Sequence, residues 1–264
     1  LTIALGALVP AVLAAVLWLS LPDVRPLGRE PPRTTAFIEL RRQEATAAKR
    51  RFALRWSWRP LGQISPLLRE CVVLTEDAKF WKHDGVDWEA VEHAAERNLA
   101  RRRFGLGGST ITQQLAKNLY LSPSKNPVRK LRELLIARRL EAELAKERLL
   151  ELYLNVAEWG DGVFGAEAAA QKWFGSSASA LTPLQAARLA LALANPRKRS
   201  PAVKSRALDR RAAGLVEVLR KRGLVAPEAP AAATTAETTP STAPELLPPT
   251  PDLDLEAAPD VDVD

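Results

Sequence analysis

From Ser65 to Gly223 the chain repeats one pattern. Apolar residues recur three and four positions apart, Ser or Thr stands where helices would start, and Gly or Pro where they would stop. No run of alternating apolar and polar residues interrupts it, so the folded part is expected to be mainly α. The single cysteine, Cys71, cannot close an internal disulfide, and two histidines leave no Cys/His zinc pattern. The helices must therefore be held by an apolar core of their own. Of the 264 residues 47% are hydrophobic. Setting aside two ends of distinct composition leaves about 200 residues, enough for one domain, expected over 52–225.

The first of those ends, Leu1 to Leu21, contains no charged residue. At about 1.5 Å per residue a helix of that length crosses a bilayer core of roughly 30 Å. It is expected to be a transmembrane anchor: Pro10 is tolerated in membrane helices, and Trp18 stands where interfacial aromatics collect. A signal-peptide core and a buried helix are the other readings. The run exceeds the usual ~7–15 residues of a signal core, and no small-residue cleavage motif follows. Residues 22–51 are rich in Pro and Arg, then amphipathic from Phe37, and are expected to form a basic connector. Arg25, Arg29 and Arg33 follow the span, and the positive-inside rule alone would put the body in the cytoplasm.

The second end, 226–264, is rich in Ala, Pro and Thr and then acidic, a composition expected to stay disordered. It holds nine acids and no Lys or Arg, so the rest of the chain carries 38 cations against 22 acids, a net +16. Such an excess favours a polyanionic partner: nucleic acid, an anionic membrane or a phosphate-bearing substrate. Seven of the fifteen aromatic residues are Trp and all of them together make up 6% of the chain. The interleaved stacking that binds single-stranded nucleic acid is not expected from that.

Three segments carry chemistry. EDAKFWKHDGVDW (76–88) sets Glu76, Asp77, Lys79, His83, Asp84 and Asp87 beside Phe80, Trp81 and Trp88. Burial beside rings would raise a carboxyl's pKa and make it a usable general base, while a neighbouring Lys would hold it ionised. The plain alternative is a helix end with a solvated acidic turn, and His83 reads as a hydrogen-bonded structural residue. GLGGSTITQQLAKNLYL (105–121) joins a glycine loop to a helix capped by Ser109 or Thr110. It would set Ile111, Leu115 and Leu119 on one face and Gln114, Lys117 and Asn118 on another. That polar face could bind phosphate or sugar, or be merely solvated; it is no P-loop. The stretch 128–155 reads as one long helix after Pro127, with Arg129, Lys130 and Arg132 crowding its first turn beside Glu133. Cations there oppose the helix dipole unless an anion is bound.

With GVFGAEAAAQKWFG (162–175) and LTPLQAARLALALANPRKRSP (181–201), these segments resemble, in order, all five motifs of the peptidoglycan glycosyltransferases, family fifty-one. The stretch NVAEWGDGVFGAEAAAQ (155–171) is most similar to the monofunctional biosynthetic branch. The resemblance runs from about Thr34 to Arg222 and leaves only the tail behind it, so no transpeptidase domain is expected there. It implies a lysozyme-like, mainly helical domain at the periplasmic face of a bacterial inner membrane, single-pass. Lipid II would be polymerised into β-1,4-linked glycan with release of undecaprenyl pyrophosphate.

By similarity Glu76 is the general base of an inverting transfer, and Glu133 is the second glutamate, which either orients basic groups or helps to hold a metal. Lys117, Arg129 and Lys130 match positions that stabilise the leaving pyrophosphate. Ser109, Gln114, Asp77 and Lys79 match positions in the same substrate cleft. The resemblance requires no cofactor, though Mg²⁺ or Mn²⁺ at the pyrophosphate is plausible. The implied partners are lipid II, the growing glycan, the membrane, and cell-wall synthesis or division proteins. Three residues depart from the commoner pattern: Lys79 replaces Arg, Trp173 replaces Tyr, and Gln185 replaces Glu. A lytic muramidase of the same fold, or a non-catalytic membrane scaffold, are the rival classes.

Overall fold

The computed structural model describes residues 20–101, 108–124 and 126–226. The anchor expected at 1–21 lies outside them but for its last two residues, as do the tail from 227 onward and the loop glycines Gly105 and Gly107. Among the described residues no helix is long and apolar enough to cross a membrane. The helices there are α1 (Ala36–Ala47), α2 (Pro66–Glu76), α3 (Trp88–Arg101), α4 (Ile111–Tyr120), α5 (Pro127–Glu143), α6 (Lys146–Val156), α7 (Ala166–Phe174), α8 (Pro183–Ala192) and α9 (Arg206–Lys221).

The fold is mainly helical, as its periodicity predicts, with one addition. Three short strands, β1 (Arg55–Trp56), β2 (Glu158–Gly160) and β3 (Val163–Phe164), form a sheet in the order β1-β3-β2. β3 runs parallel to β1, pairing Arg55 with Val163, and antiparallel to β2. Strands this short leave no period-two signal to read. After β3 the chain must turn at once into α7, and Gly165 does this at φ +82°; a Cβ there would stand 2.8 Å from the Asn155 carbonyl oxygen.

Two packing groups set the site. α2 lies against α8, which also carries α9, while α4 is wrapped by α1, α5 and α6. α4 owes its start to a capping box: Thr110 Oγ1 accepts from the Gln113 N–H at 3.2 Å, and the Gln113 side chain returns to the Thr110 N–H. Thr110, not Ser109, is the cap. Ile111, Leu115 and Leu119 form its buried face. α8 is capped by the same device, with Gln185 as the returning partner of Thr182, so the departure from Glu keeps that function.

Two expectations change. The long helix predicted over 128–155 is two helices, α5 and α6, parted at Leu144 and Ala145, both extended. No Gly or Pro marks the break. It is made by tertiary contacts: Leu144 is buried in the core, and Lys146 donates to the His83 carbonyl and to Glu141. Residues 22–51 are also more than a connector. Val24, Leu27, Ile38 and Ala45 are buried, and Arg41 of α1 grips Glu158 of β2 in a buried ion pair at 2.8–3.0 Å. Such a pair, with both partners in place, ties α1 to the body; removing one partner would strand the other.

Candidate active site

Glu76 is the last residue of α2, where that helix ends against the N-terminal half of α4. It lines a cleft of about 340 Å³ together with Asp77, Lys79, Asp87, His93, Ser109 and Thr110. Burial pushes the Glu76 carboxyl above the usual range, opposed by a hydrogen bond from Gln114 Nε2 to Oε2 at 2.9 Å and by the charge of Lys117. Of the three rings expected beside it, Phe80 is buried and the two tryptophans are not. Trp81 and Trp88 are 48% and 63% exposed. Fully buried Tyr153 of α6 instead stands behind Gln114, donating its hydroxyl to Gln114 Oε1 at 3.1 Å.

Asp77 faces inward. Its Oδ2 accepts the N–H of Ile111, the first residue of α4, at 2.9 Å. His83 Nε2 approaches both oxygens at 2.9 and 3.0 Å. The Gly85 N–H points at His83 Nδ1 at 3.2 Å, which makes Nδ1 the acceptor and Nε2 the proton-bearing nitrogen that donates to Asp77. Asp77 thus ties the end of α2 to the start of α4 and holds Glu76 in register with Gln114. Lys79 lies at the outer rim, paired with Glu89 of α3.

The basic residues gather around Glu133, which is 3% exposed. Arg129 Nη1 donates to Glu133 Oε2, and Lys130 Nζ donates to Oε1 at 2.6 Å. Lys130 also donates to Ser109 Oγ at 2.9 Å, which connects this cluster to the wall of the Glu76 cleft. Lys117 completes it from α4. Its ammonium stands 5.9 Å from the ring centroid of Phe37. Burial lowers its pKa, Glu133 and Glu76 raise it, and Arg129 and Lys130 lower it further. Gln114 and Lys117, three residues apart on one face of α4, therefore reach the carboxylate and the cationic cluster respectively.

These donors do not fit a resident divalent cation on Glu133. Each of its oxygens already serves a cation, and among the described residues no three His, Cys, Asp or Glu side chains gather where they could hold a metal. Cys71 is buried, its thiol pushed up to about 12, and offers no nucleophile.

Sequence reasoning missed two residues of this site. Phe37 lay in what read as a connector, and Tyr153 sits in KERLLELYLN as one buried position among several. Its three- and four-residue spacing from Leu149 and Leu150 marks it as buried, and a phenol in such a place needs a polar partner.

Comparison with known proteins adds an independent finding. Residues 43–220 match the model of the family described as Transglycosylase. A protein of Aromatoleum aromaticum named biosynthetic peptidoglycan transglycosylase is 51% identical over 167 residues, covering 63% of this chain and 73% of that protein. Its namesake in Nitrosospira multiformis is 49% identical over 63% of this chain and 72% of its own length. One from Chromobacterium violaceum is 53% identical over 54% of this chain and 63% of its own.

Proposed function

The chain belongs to the transglycosylase family and is a peptidoglycan glycosyltransferase of cell-wall biosynthesis, and on that footing we propose that it polymerises lipid II by an inverting transfer with Glu76 as general base. The observation that carries this reading is the place of α4. One face of it holds the raised-pKa carboxylate through Gln114 and brings Lys117 to the Arg129, Lys130 and Glu133 cluster.

In the proposed step Glu76 takes the proton from the 4-hydroxyl of an acceptor GlcNAc. That oxygen bonds to the anomeric carbon of the donor chain as the bond from that carbon to the pyrophosphate breaks. Negative charge then develops on the leaving undecaprenyl pyrophosphate, where Lys117, Arg129 and Lys130 would stabilise it in a partly dry site. Glu133 has the task of keeping three cations together before substrate arrives. Gln114 and Ser109 line the path between base and cluster, Asp77 fixes the frame, and Lys79 stands at the entrance. No step is assigned to a metal. Anchoring by Leu1 to Leu21, with the body on the periplasmic side despite Arg25, Arg29 and Arg33, is part of the same proposal, as are cell-wall synthesis or division proteins as partners.

A raised carboxyl pKa would also suit the acid of a lytic muramidase, but a reaction whose leaving group is a sugar has no use for the cationic cluster. Incubation with labelled lipid II separates the two. The proposal expects lipid-linked polymer and no cutting of finished glycan; glycan cleavage without polymer would overturn it.

A further inference from the structure

Among the described residues the Tyr153 hydroxyl has one hydrogen-bond partner, Gln114 Oε1 at 3.1 Å, and Gln114 Nε2 in turn reaches Glu76 Oε2 at 2.9 Å. An amide oxygen only accepts and an amide NH₂ only donates. The phenol must therefore be the donor of the first bond, and the NH₂ group the donor of the second. A glutamine amide has a second orientation, half a turn away, that would present Oε1 to Glu76 instead. The first orientation binds a carboxylate, the second a carboxylic acid. In the second, the phenol would still accept from the NH₂ group, but its own proton would be stranded in a fully buried place, at a cost.

We propose that Tyr153 is a positioning residue for glycosyl transfer: its hydroxyl locks the Gln114 amide in the orientation that donates to Glu76, which keeps the carboxylate ionised and aimed. The chain of bonds joins α6, α4 and α2, and rests on the reading of Glu76 as the base. Burial holds Tyr153 well above the ordinary phenol pKa, so it remains a donor throughout the working range. The other charged groups acting on Glu76 are Lys117 of α4, Asp77 at the end of α2, and Arg199 beyond α8. None of them fixes the amide.

The test is the pH dependence of lipid II polymerisation by the full chain. Tyr153→Phe removes one oxygen and keeps the ring. A lost hydrogen bond to the charged form raises the pKa of the base, so the acidic limb should move to higher pH by about 0.5–1 unit. The rate below that limb should then fall roughly 3–10-fold further than the rate above it. In a Gln114→Ala background the same substitution should add no shift. 3-Fluorotyrosine at 153, a stronger donor of the same shape, should move the limb the other way. Melting curves over the same pH range give the folded fraction of each variant, and rates are taken per folded protein, so a destabilised variant still reports. Equal slowing at every pH, or an unmoved limb, with Glu76→Gln inactive, overturns the role of Tyr153 alone. An active Glu76→Gln overturns the base assignment instead.

Discussion

Lys117 feels both the carboxylate of Glu76 and the charges gathered at Glu133, and its own charge is held under opposing pressures. Burial, Arg129 and Lys130 lower its pKa from 10.5, while Glu133 and Glu76 pull it back. Glu76 is displaced the opposite way, upward from 4.5. The shifts bring the two groups toward each other, so the base is ionised and the ammonium charged only within a narrowed window. The rate of polymerisation is therefore expected to follow a bell, its acidic limb above 4.5 and its alkaline limb below 10.5. A guanidinium does not deprotonate in this range, so Lys117→Arg should remove the alkaline limb and leave the acidic one. Glu133→Gln deletes the largest charge that supports Lys117 and should move the alkaline limb to lower pH. Added Mg²⁺ should not restore the rate, because the carboxylate serves the cations. Initial rates across pH and Mg²⁺ check all three. Stability carries the same signature. A carboxyl whose folded pKa is raised loses stability as pH climbs from its unfolded value through its folded one. Glu76→Gln should thus raise the thermal midpoint at neutral pH by a few degrees, and the gain should vanish below about pH 4, where both states are protonated.

At the scale of elements, α1 shows how a segment outside the obvious catalytic motifs enters the site. It is bolted to β2 by Arg41 and Glu158, and it presents Phe37 to Lys117. Phe37→Leu keeps the apolar bulk but removes the ring face, and should weaken binding of a phosphoglycolipid inhibitor about 2–5-fold, read by titration. A change confined to thermal stability would show that Phe37 only packs. What could be read in the sequence was local. Thr110 with Gln113, and the Ile111, Leu115 and Leu119 face, are spelled out within one turn or two of helix. What could not be read was joined across the chain. The break between α5 and α6 depends on Lys146 reaching the His83 carbonyl, and the inward turn of Asp77 on the N-terminus of α4. Propensity alone continues a helix through Leu144 and Ala145, because neither residue opposes one. The bond from Tyr153 to Gln114 spans 39 positions and two helices, and has no local trace. The motif resemblance pointed to Glu76, Glu133 and the basic residues; that Glu133 gives one oxygen to Arg129 and the other to Lys130 came only from the packing.

For the whole molecule, the division of charge is a design in two parts. The chain outside 226–264 carries +16, while residues 226–264 hold nine acids and no Lys or Arg in a stretch rich in Ala, Pro and Thr. Among the described residues Val225 is the last that packs against the core, and a segment of the composition that follows it buries little apolar surface. Deleting 227–264 should therefore leave the thermal midpoint and the polymerisation rate near wild type, which melting curves and lipid II assays would test. The proposed division of work is proton removal at Glu76 and charge stabilisation at Lys117, Arg129 and Lys130. Its most direct test is the rate at which Glu76→Gln polymerises lipid II, measured beside its affinity for a phosphoglycolipid inhibitor. The amide keeps the shape but cannot take the proton, so the rate should fall by about 10²–10⁴-fold while affinity is retained; polymerisation by Glu76→Gln at near wild-type rate would contradict it.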